Sequence, residues 1–168
     1  MNDIANKVVC NDTVNVVRLF GKCLYDERLK ALFSNVSFDD CFSYCGKKHL
    51  AVLDIKKEYN IRLFFDCSRD FAHGYNMTVH DGVVLSAAHF YKQTKEESDN
   101  DFSWRFPYDL NIFDTKRIVL EKIGRKPDSV KGKNLSLEWR EDEYILCVNF
   151  CHVSEQAQEI VFLGLFLS

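Results

Sequence analysis

The spacing of apolar residues changes along this chain, and each change marks a predicted element. After Asp12 or Thr13, either of which can cap a helix, apolar residues recur at helical spacing. A second helix is predicted over residues 26–33, where acidic residues come first and Lys30 comes later, as the helix dipole favours. The predicted apolar stripe of the first helix consists of Val14, Val17, Phe20 and Leu24.

Beyond residue 48 the apolar residues occur in short alternating runs, which predict strands. Three strands are predicted in the first half of the chain, at residues 50–55, 60–66 and 83–92. The turn signal Asp81-Gly82 precedes the third strand, so the three form a meander. The polar, acidic segment 93–101 then separates the two halves of the chain.

The second half repeats this order of elements. A helix capped by Asp114 or Thr115 is predicted to bury Ile118, Val119 and Ile123 and to end at Gly124, three residues before Pro127. Strands are predicted at residues 134–140, 144–151 and 159–167. Together the two halves predict an α+β domain with an antiparallel sheet, either continuous or in two abutting parts, and with the helices packed on one face.

Two stretches of the chain share one phrase. Segments 11–23 and 113–127 both contain Asp-Thr, then a β-branched pair, then Gly and a basic residue. The predicted central strands within 58–67 and 142–151 are also alike. One interpretation is a single domain, 1–168, made of two helix–β-meander repeats over 11–92 and 102–167. The other is a coincidence between two ordinary units.

Composition limits the class of protein. The 168 residues are 46% hydrophobic with a net charge of −3, so we expect a folded chain without a phosphate-binding surface. The one basic run, 116–133, lacks the interleaved aromatic residues of nucleic-acid binding. There is no signal-peptide pattern, and the most apolar stretch, 160–167, is too short to span a bilayer. We therefore expect a cytoplasmic protein with neither nucleic acid nor membrane as partner.

The cysteines and histidines give little support for chemistry. Seven cysteines cannot form a closed disulfide set, and Cys147 and Cys151 would stand roughly 13 Å apart on one strand face, too far to share an ion. We expect reduced, mostly buried thiols, no metal and no cofactor. Cys67 with His80 or His89 is a conceivable thiol–imidazole couple, but no third residue is spaced to orient it. The chain is thus predicted not to be an enzyme.

Acidic clusters are the remaining candidate for function. They lie at residues 38–40, 95–101 and 140–144, and Trp104 follows the middle one. Charge accelerates encounter with a basic protein, and an aromatic residue supplies a buried anchor. The predicted partner-binding residues are Glu96, Glu97, Asp99, Asp101 and Trp104.

Three segments resemble small bacterial immunity proteins encoded beside polymorphic toxins. They are "LFGKCLYDERLKALF" at 19–33, "EYNIRLFFD" at 58–66 and "FPYDLNIFDTKRIVLEKIGRKP" at 106–127. The last is similar to a strand, cap and short helix that end in a Leu-Gly-x-Pro phrase. Here Asp109 stands where that pattern has Gly, Ile123 replaces Leu, and one residue is added before Pro127.

The resemblance implies an immunity protein of the contact-dependent growth inhibition type. Such a protein binds the C-terminal domain of its cognate toxin, most often a nuclease, and occludes the active site. The resemblance carries over no catalytic residue, because the shared positions belong to the scaffold. The alternatives are a general protein-interaction adaptor and, with less support, a small Cys/His hydrolase.

Overall fold

The computed structural model describes residues 10–44, 51–67, 83–92, 103–133 and 135–165. Two sheets are present in these ranges, and eight of the ten strands form one antiparallel sheet of order β2-β3-β4-β5-β10-β9-β8-β7. The strands are β1 Cys10–Asp12, β2 Phe42–Tyr44, β3 Ala51–Ile55, β4 Ile61–Cys67, β5 Val83–Tyr91, β6 Ser103–Arg105, β7 Ser129–Lys131, β8 Ser136–Arg140, β9 Tyr144–Phe150 and β10 Ala157–Gly164. The α+β prediction is confirmed, with the sheet continuous.

The helices are short, and side chains cap several of them. They are α1 Thr13–Val17, α2 Glu27–Leu32, α3 Phe38–Cys41, α4 Lys56–Tyr59 and α5 Lys116–Ile123. Asp12 caps α1 by accepting a hydrogen bond from the backbone N–H of Val14 at 2.9 Å, and Asp26 caps α2 in the same way. Thr115 caps α5, and Gly124 ends it with φ of +71°. These caps satisfy backbone groups that a helix end leaves without a partner.

The first helix is shorter than predicted, and its predicted apolar stripe is wrong at Val14, whereas Val17 and Leu24 are buried and Phe20 packs against the core. Val14 is 40% exposed, whereas Val16 is fully buried. The helix stops at Val17 because the following chain pairs with β5: Gly21 donates its backbone N–H to Leu85, and Leu85 donates in return to Lys22. Tertiary pairing thus overrides the helical spacing in this segment.

One face of the large sheet carries the core. A row of side chains in register crosses it from β3 to β8, and all its members are buried. The row consists of Leu53, Leu63, Ala88, Phe162, Leu146 and Trp139. Buried residues of α1, α2, α4 and α5 join the same cluster. The prediction that the helices pack on one face is therefore confirmed for the described helices.

The order of the sheet is symmetrical about the pairing of β5 with β10. Each side consists of four strands that follow one another in the chain. The last strand of each set, β5 or β10, lies at the centre of the sheet. The two similar central segments of the sequence form β4 and β9, which occupy equivalent positions in this order. The caps differ, since Asp12 caps α1 and Thr115 caps α5. The origin of the two halves by duplication stays a prediction.

The sequence pattern missed the shortest elements. The strands β1 and β6 pair in parallel as a separate two-stranded sheet, with Asn11 opposite Trp104. The strands β2 and β7 form the two edges of the large sheet. Each of these four strands has three residues, too few for an alternating pattern to be recognised.

The segment that carries the resemblance, 106–127, forms part of the scaffold. The guanidinium of Arg125 contacts Asp128 at 3.0 Å and Glu141 at 2.8 Å, which ties the end of α5 to the turn between β8 and β9. Lys122 donates to the backbone carbonyl of Asp109 at 2.7 Å. These contacts position α5 against the second half of the sheet.

Candidate binding surface on the second face of the sheet

The large sheet has a second face, which differs in chemistry from the core face. Five buried apolar residues fall outside the core cluster and alternate with core residues along their strands: Val52, Val84, Ala87, Cys147 and Val161. Polar and charged side chains share this face with them. We call it the polar face and define it by Asp54, Arg62, Phe64, His89, Tyr91, Cys147, Asn149, Glu159 and Val161.

Glu159 lies at the centre of the polar face. One carboxylate oxygen is 2.7 Å from Nδ1 of His89, and the other accepts a hydrogen bond from Nδ2 of Asn149 at 2.7 Å. The Tyr91 hydroxyl also hydrogen-bonds to this carboxylate. Burial acts to raise the pKa of Glu159, but the hydrogen bonds, that of His89 first, outweigh it and hold the pKa below its ordinary value. The carboxylate is therefore kept ionised by its neighbours.

A chain of contacts leads from Glu159 toward the β2 edge. The Tyr91 hydroxyl hydrogen-bonds to Glu159 on one side and to Arg62 on the other. Nε of Arg62 donates to Asp54 at 2.7 Å, while its guanidinium lies 5.4 Å from the centroid of the Tyr91 ring. Burial, followed by the nearby Glu159, raises the pKa of Tyr91 to about 12. Tyr91 thus remains a neutral hydrogen-bond donor at physiological pH.

Aromatic rings complete this part of the surface. The ring centroids of Phe64 and His89 are 4.4 Å apart, and those of His89 and Tyr91 are 6.3 Å apart. Nζ of Lys56 lies 5.4 Å from the Tyr91 ring, on the side toward α4. Aromatic and arginine side chains with a fixed geometry are the residue types that dominate binding energy at protein interfaces.

A charged cleft of about 770 Å³ adjoins the polar face at its β2 edge. It is lined by α3, β2, β3, α4 and the start of β4. The pKa of Cys41 in this cleft is raised by burial and by the carboxylates of Glu58, Asp40 and Asp54. Asp54 and Arg62 belong both to the cleft and to the polar face. The cleft therefore continues the polar face toward the sheet edge.

The predicted thiol–imidazole couple of Cys67 with His89 does not form. Cys67 pairs with Val83 and His89 pairs with Arg62, so the two residues are separated by five positions along β4, about 17 Å. Cys147 and His89 both flank Val161 from neighbouring strands, roughly 10 Å apart. Both separations exceed the reach of a hydrogen bond. The other predicted histidine, His80, lies outside the described residues.

The described cysteines are only partly as predicted. Cys147 is buried, but Cys41 and Cys151 are half-buried and Cys23 is exposed, so the prediction of mostly buried thiols is wrong for this set. All four are free thiols. Within the described ranges, no three side chains of His, Cys, Asp or Glu are grouped as metal ligands would be.

Four of the five predicted partner-binding residues lie outside the described residues: Glu96, Glu97, Asp99 and Asp101. The fifth, Trp104, is half-buried and packs on the core side of the sheet. Its indole N–H donates to the backbone carbonyl of Tyr59 at 2.6 Å, and its ring centroid is 4.9 Å from that of Phe90. Trp104 therefore ties β6 to the core.

The acidic clusters at 38–40 and 140–144 do not form one strip. Phe42 follows the first cluster and shares a row of the sheet with Trp139, which precedes the second. The row spans six strand spacings, more than roughly 25 Å. The chain direction places the two clusters at opposite ends of the strands, so a single partner would meet them only by covering most of the sheet.

The residues of the polar face carry a weak signal in the sequence. His89 and Asn149 each interrupt an apolar run, while Arg62 and Glu159 lie near the start of one, all at positions that strand periodicity turns away from the core. Their mutual contacts depend on which strands are neighbours. The pairing of β5 with β10 joins segments about seventy residues apart, and no local pattern predicts it.

Comparison with known proteins gave no match to a family model, a curated protein or a solved structure. The likeness to immunity proteins therefore stays a prediction made from the sequence. None of the helices in the described ranges is long and apolar enough to cross a bilayer.

Proposed function

We propose that this protein is an immunity protein that binds the C-terminal domain of a cognate toxin and occludes its active site, with the polar face as the contact surface. The observation that carries the proposal is the network centred on Glu159. It presents Arg62, Tyr91 and His89 in fixed positions on a side of the sheet to which no described helix contributes its buried residues. A preordered surface binds with a smaller loss of conformational entropy than a mobile one.

The chemistry of the surface supports a protein partner. Arginine and tyrosine are enriched at the residues that dominate protein interfaces, and here both are held by hydrogen bonds while remaining partly accessible. The side chain of Arg62 is 40% exposed and that of Asp54 is 42% exposed. A toxin residue could therefore reach either charge without opening the core. The proposal assigns the chain no covalent chemistry of its own.

The scaffold role of the resembling segment fits the same proposal. Contacts of Arg125 and Lys122 hold α5 against the second half of the sheet, on the side away from the polar face. In an inhibitor that acts by steric blockage, the fold needs to be rigid and the recognition surface needs to vary with the toxin. The contacts of α5 supply the first of these features, a rigid scaffold, and leave the polar face outside it.

The test begins with the product of the neighbouring gene. The proposal expects the two proteins to purify together, and expects this chain to restore growth to cells that express the other protein alone. Arg62→Glu should weaken the complex by about tenfold or more, equivalent to about 1.4 kcal/mol. The matched control is Arg18→Glu, which makes the same charge change at the exposed residue directly after α1.

Thermal unfolding of both variants should accompany the binding measurement, so that a loss of folding is not counted as a loss of binding. If no complex forms and growth is not restored, the immunity function is wrong. If the complex forms and Arg62→Glu binds as tightly as Arg18→Glu, the polar face is the wrong surface.

A further inference from the structure

A groove of about 560 Å³ lies between α5 and the edge strand β7, on the helix side of the sheet. Its floor is apolar and consists of Leu120, Pro127, Val130 and Leu137. Leu137 is buried as part of the core, but Val130 in β7 is 48% exposed. An apolar side chain that stays this accessible beside a groove leaves area for another molecule to cover.

The strand β7 is the last strand of the sheet on this side. Among the described residues, no further strand pairs with its outer edge. An edge strand is a template on which an extended peptide can add as a new strand, with backbone hydrogen bonds supplying affinity and side-chain pockets supplying specificity. Here the groove would provide the pocket.

The charge around the groove indicates the chemistry of its occupant. Segment 116–133, which forms α5, the groove and β7, contains seven Lys and Arg and two Asp and Glu, a net charge of +5. The whole chain has a net charge of −3, so the rest carries −8. Three basic side chains, Lys116, Arg125 and Lys126, line the groove with one acidic side chain, Glu121, so the lining itself is net positive. The segment that forms this edge of the sheet is therefore positive, whereas the rest of the chain is negative.

We propose that the groove between α5 and β7 binds an extended acidic segment of a partner protein, which adds to β7 and places one large apolar side chain over Val130. This interaction goes beyond the proposed immunity function and uses a different side of the sheet. The segment's carboxylates would meet Lys116 and Lys126. Charge complementarity of this kind selects partners and accelerates encounter.

Two other occupants fit the groove less well. A second copy of this chain pairing through β7 would bring a second positively charged segment against the first, and the lysine on this edge strand, Lys131, also disfavours such pairing. A nucleic acid would be expected to stack bases on aromatic side chains, and none of the described lining residues is aromatic. An acidic protein segment matches both the apolar floor and the basic rim.

The experiment is a selection of random twelve-residue peptides, displayed on phage, on the full-length protein. The selected peptides should be net acidic and should each contain a large apolar residue. Their dissociation constants, measured by fluorescence anisotropy, should rise at least about tenfold for Val130→Glu, since the added carboxylate both fills the floor and repels the peptide. The matched control is Val14→Glu, at an α1 valine that is 40% exposed and lies outside the groove.

A second variant tests the basic side chains of the groove separately from its apolar floor. Lys126→Glu changes an exposed position and should weaken acidic peptides without affecting the fold, which the melting temperature checks. Selected peptides without an acidic bias would overturn the proposal, as would equal affinity for wild type and Val130→Glu. Dimerisation in sedimentation experiments that Val130→Glu abolishes would overturn it in favour of a second copy. Binding of a single-stranded oligonucleotide in preference to the peptides would also overturn it.

Discussion

Nδ1 of His89 lies 2.7 Å from a carboxylate oxygen of Glu159, across the junction at which the two halves of the sheet meet. His89 belongs to β5 in the first half, and Glu159 belongs to β10 in the second. Asn149 approaches the other carboxylate oxygen from β9. The polar face is therefore assembled from strands of both halves, and neither half alone would provide it.

Replacement of this carboxylate should change stability in a pH-dependent way. The pKa of Glu159 is lower in the folded protein than the ordinary 4.5, so the ionised group stabilises the fold above pH 4.5 and this contribution is lost as the pH falls through the folded pKa. We expect Glu159→Gln to lower the free energy of unfolding at pH 7 by about 1.5–3 kcal/mol, the usual range for hydrogen bonds to a charged group.

Urea unfolding of both proteins between pH 7 and pH 3 measures this difference. The gap between wild type and Glu159→Gln should narrow as the pH falls from 4.5, where the unfolded glutamate takes up a proton, through the lower pKa of the native carboxylate. Glu121→Gln is the matched control because its side chain is 63% exposed on α5, and it should change stability little. A gap that is constant across this pH range would show that the ionised carboxylate is not the stabilising group.

The contribution of Tyr91 to stability should be lost as the pH rises, the opposite direction to that of Glu159. The pKa of Tyr91 is raised from 10.0 to about 12, so the neutral hydroxyl stabilises the fold below pH 10 and this contribution is lost as the pH rises through 12. Absorbance at 295 nm, followed as the pH of the native protein is raised, counts the tyrosines that ionise. Tyr91→Phe should show one fewer tyrosine ionising near pH 12 than wild type. Tyr144, whose pKa is also raised to about 12, should give a second such loss when Tyr144→Phe is added. If the same number of tyrosines ionised near pH 12 in wild type and in Tyr91→Phe, the raised pKa would not belong to Tyr91.

The sequence predicted those parts of the fold that local spacing determines. The strands β3, β4 and β5 and the helix α5 lie within a residue or two of their predicted bounds, because alternation or capping marks both of their ends. The predicted length of α1 was wrong because the backbones of Gly21 and Lys22 hydrogen-bond to Leu85, some sixty residues away, and this pairing competes with the helix. A spacing pattern has no information about such a distant partner.

The candidate site was less accessible to prediction for the same reason. Acidic composition drew attention to Glu96 and its neighbours, whereas the ordered polar network formed around a single glutamate, Glu159, within an apolar strand. Its importance depends on the side chains of His89, Tyr91 and Asn149, which three strands bring together. Trp104 appeared in the sequence as an anchor beside acidic residues, yet its indole packs into the core.

Gly124 should be sensitive to replacement for a conformational reason alone. Its φ is +71°, and an added Cβ would meet no atom within 4 Å, so steric contact with the rest of the protein adds nothing. Gly124→Ala should lower the free energy of unfolding by about 1–2 kcal/mol, because a residue with a Cβ disfavours this left-handed conformation. Gly124→Asn should cost less, since asparagine tolerates it better. Equal stability of Gly124→Ala and wild type in urea unfolding would contradict this explanation.

Trp104 allows the two interpretations of its role to be separated. Its indole N–H donates to the carbonyl of Tyr59 at 2.6 Å, while its ring packs against Phe90 and Phe33 on the core side of the sheet. Trp104→Phe keeps an aromatic ring and removes that donor, so we expect the free energy of unfolding to fall by about 1–2 kcal/mol. Because the polar face lies on the other side of the sheet, affinity for the partner should stay within about twofold of wild type, less than 0.5 kcal/mol.

Urea unfolding and a binding titration of Trp104→Phe, performed on the same preparation, measure both quantities. Trp139→Phe is the comparison, because that indole in β8 is also hydrogen-bonded, to the carbonyl of Arg125 at 3.2 Å, and is completely buried. Both variants should lose stability and keep their affinity. A Trp104→Phe protein that unfolds like wild type but binds its partner at least about tenfold more weakly, a loss of about 1.4 kcal/mol, would instead make Trp104 the anchor that its acidic neighbours suggested.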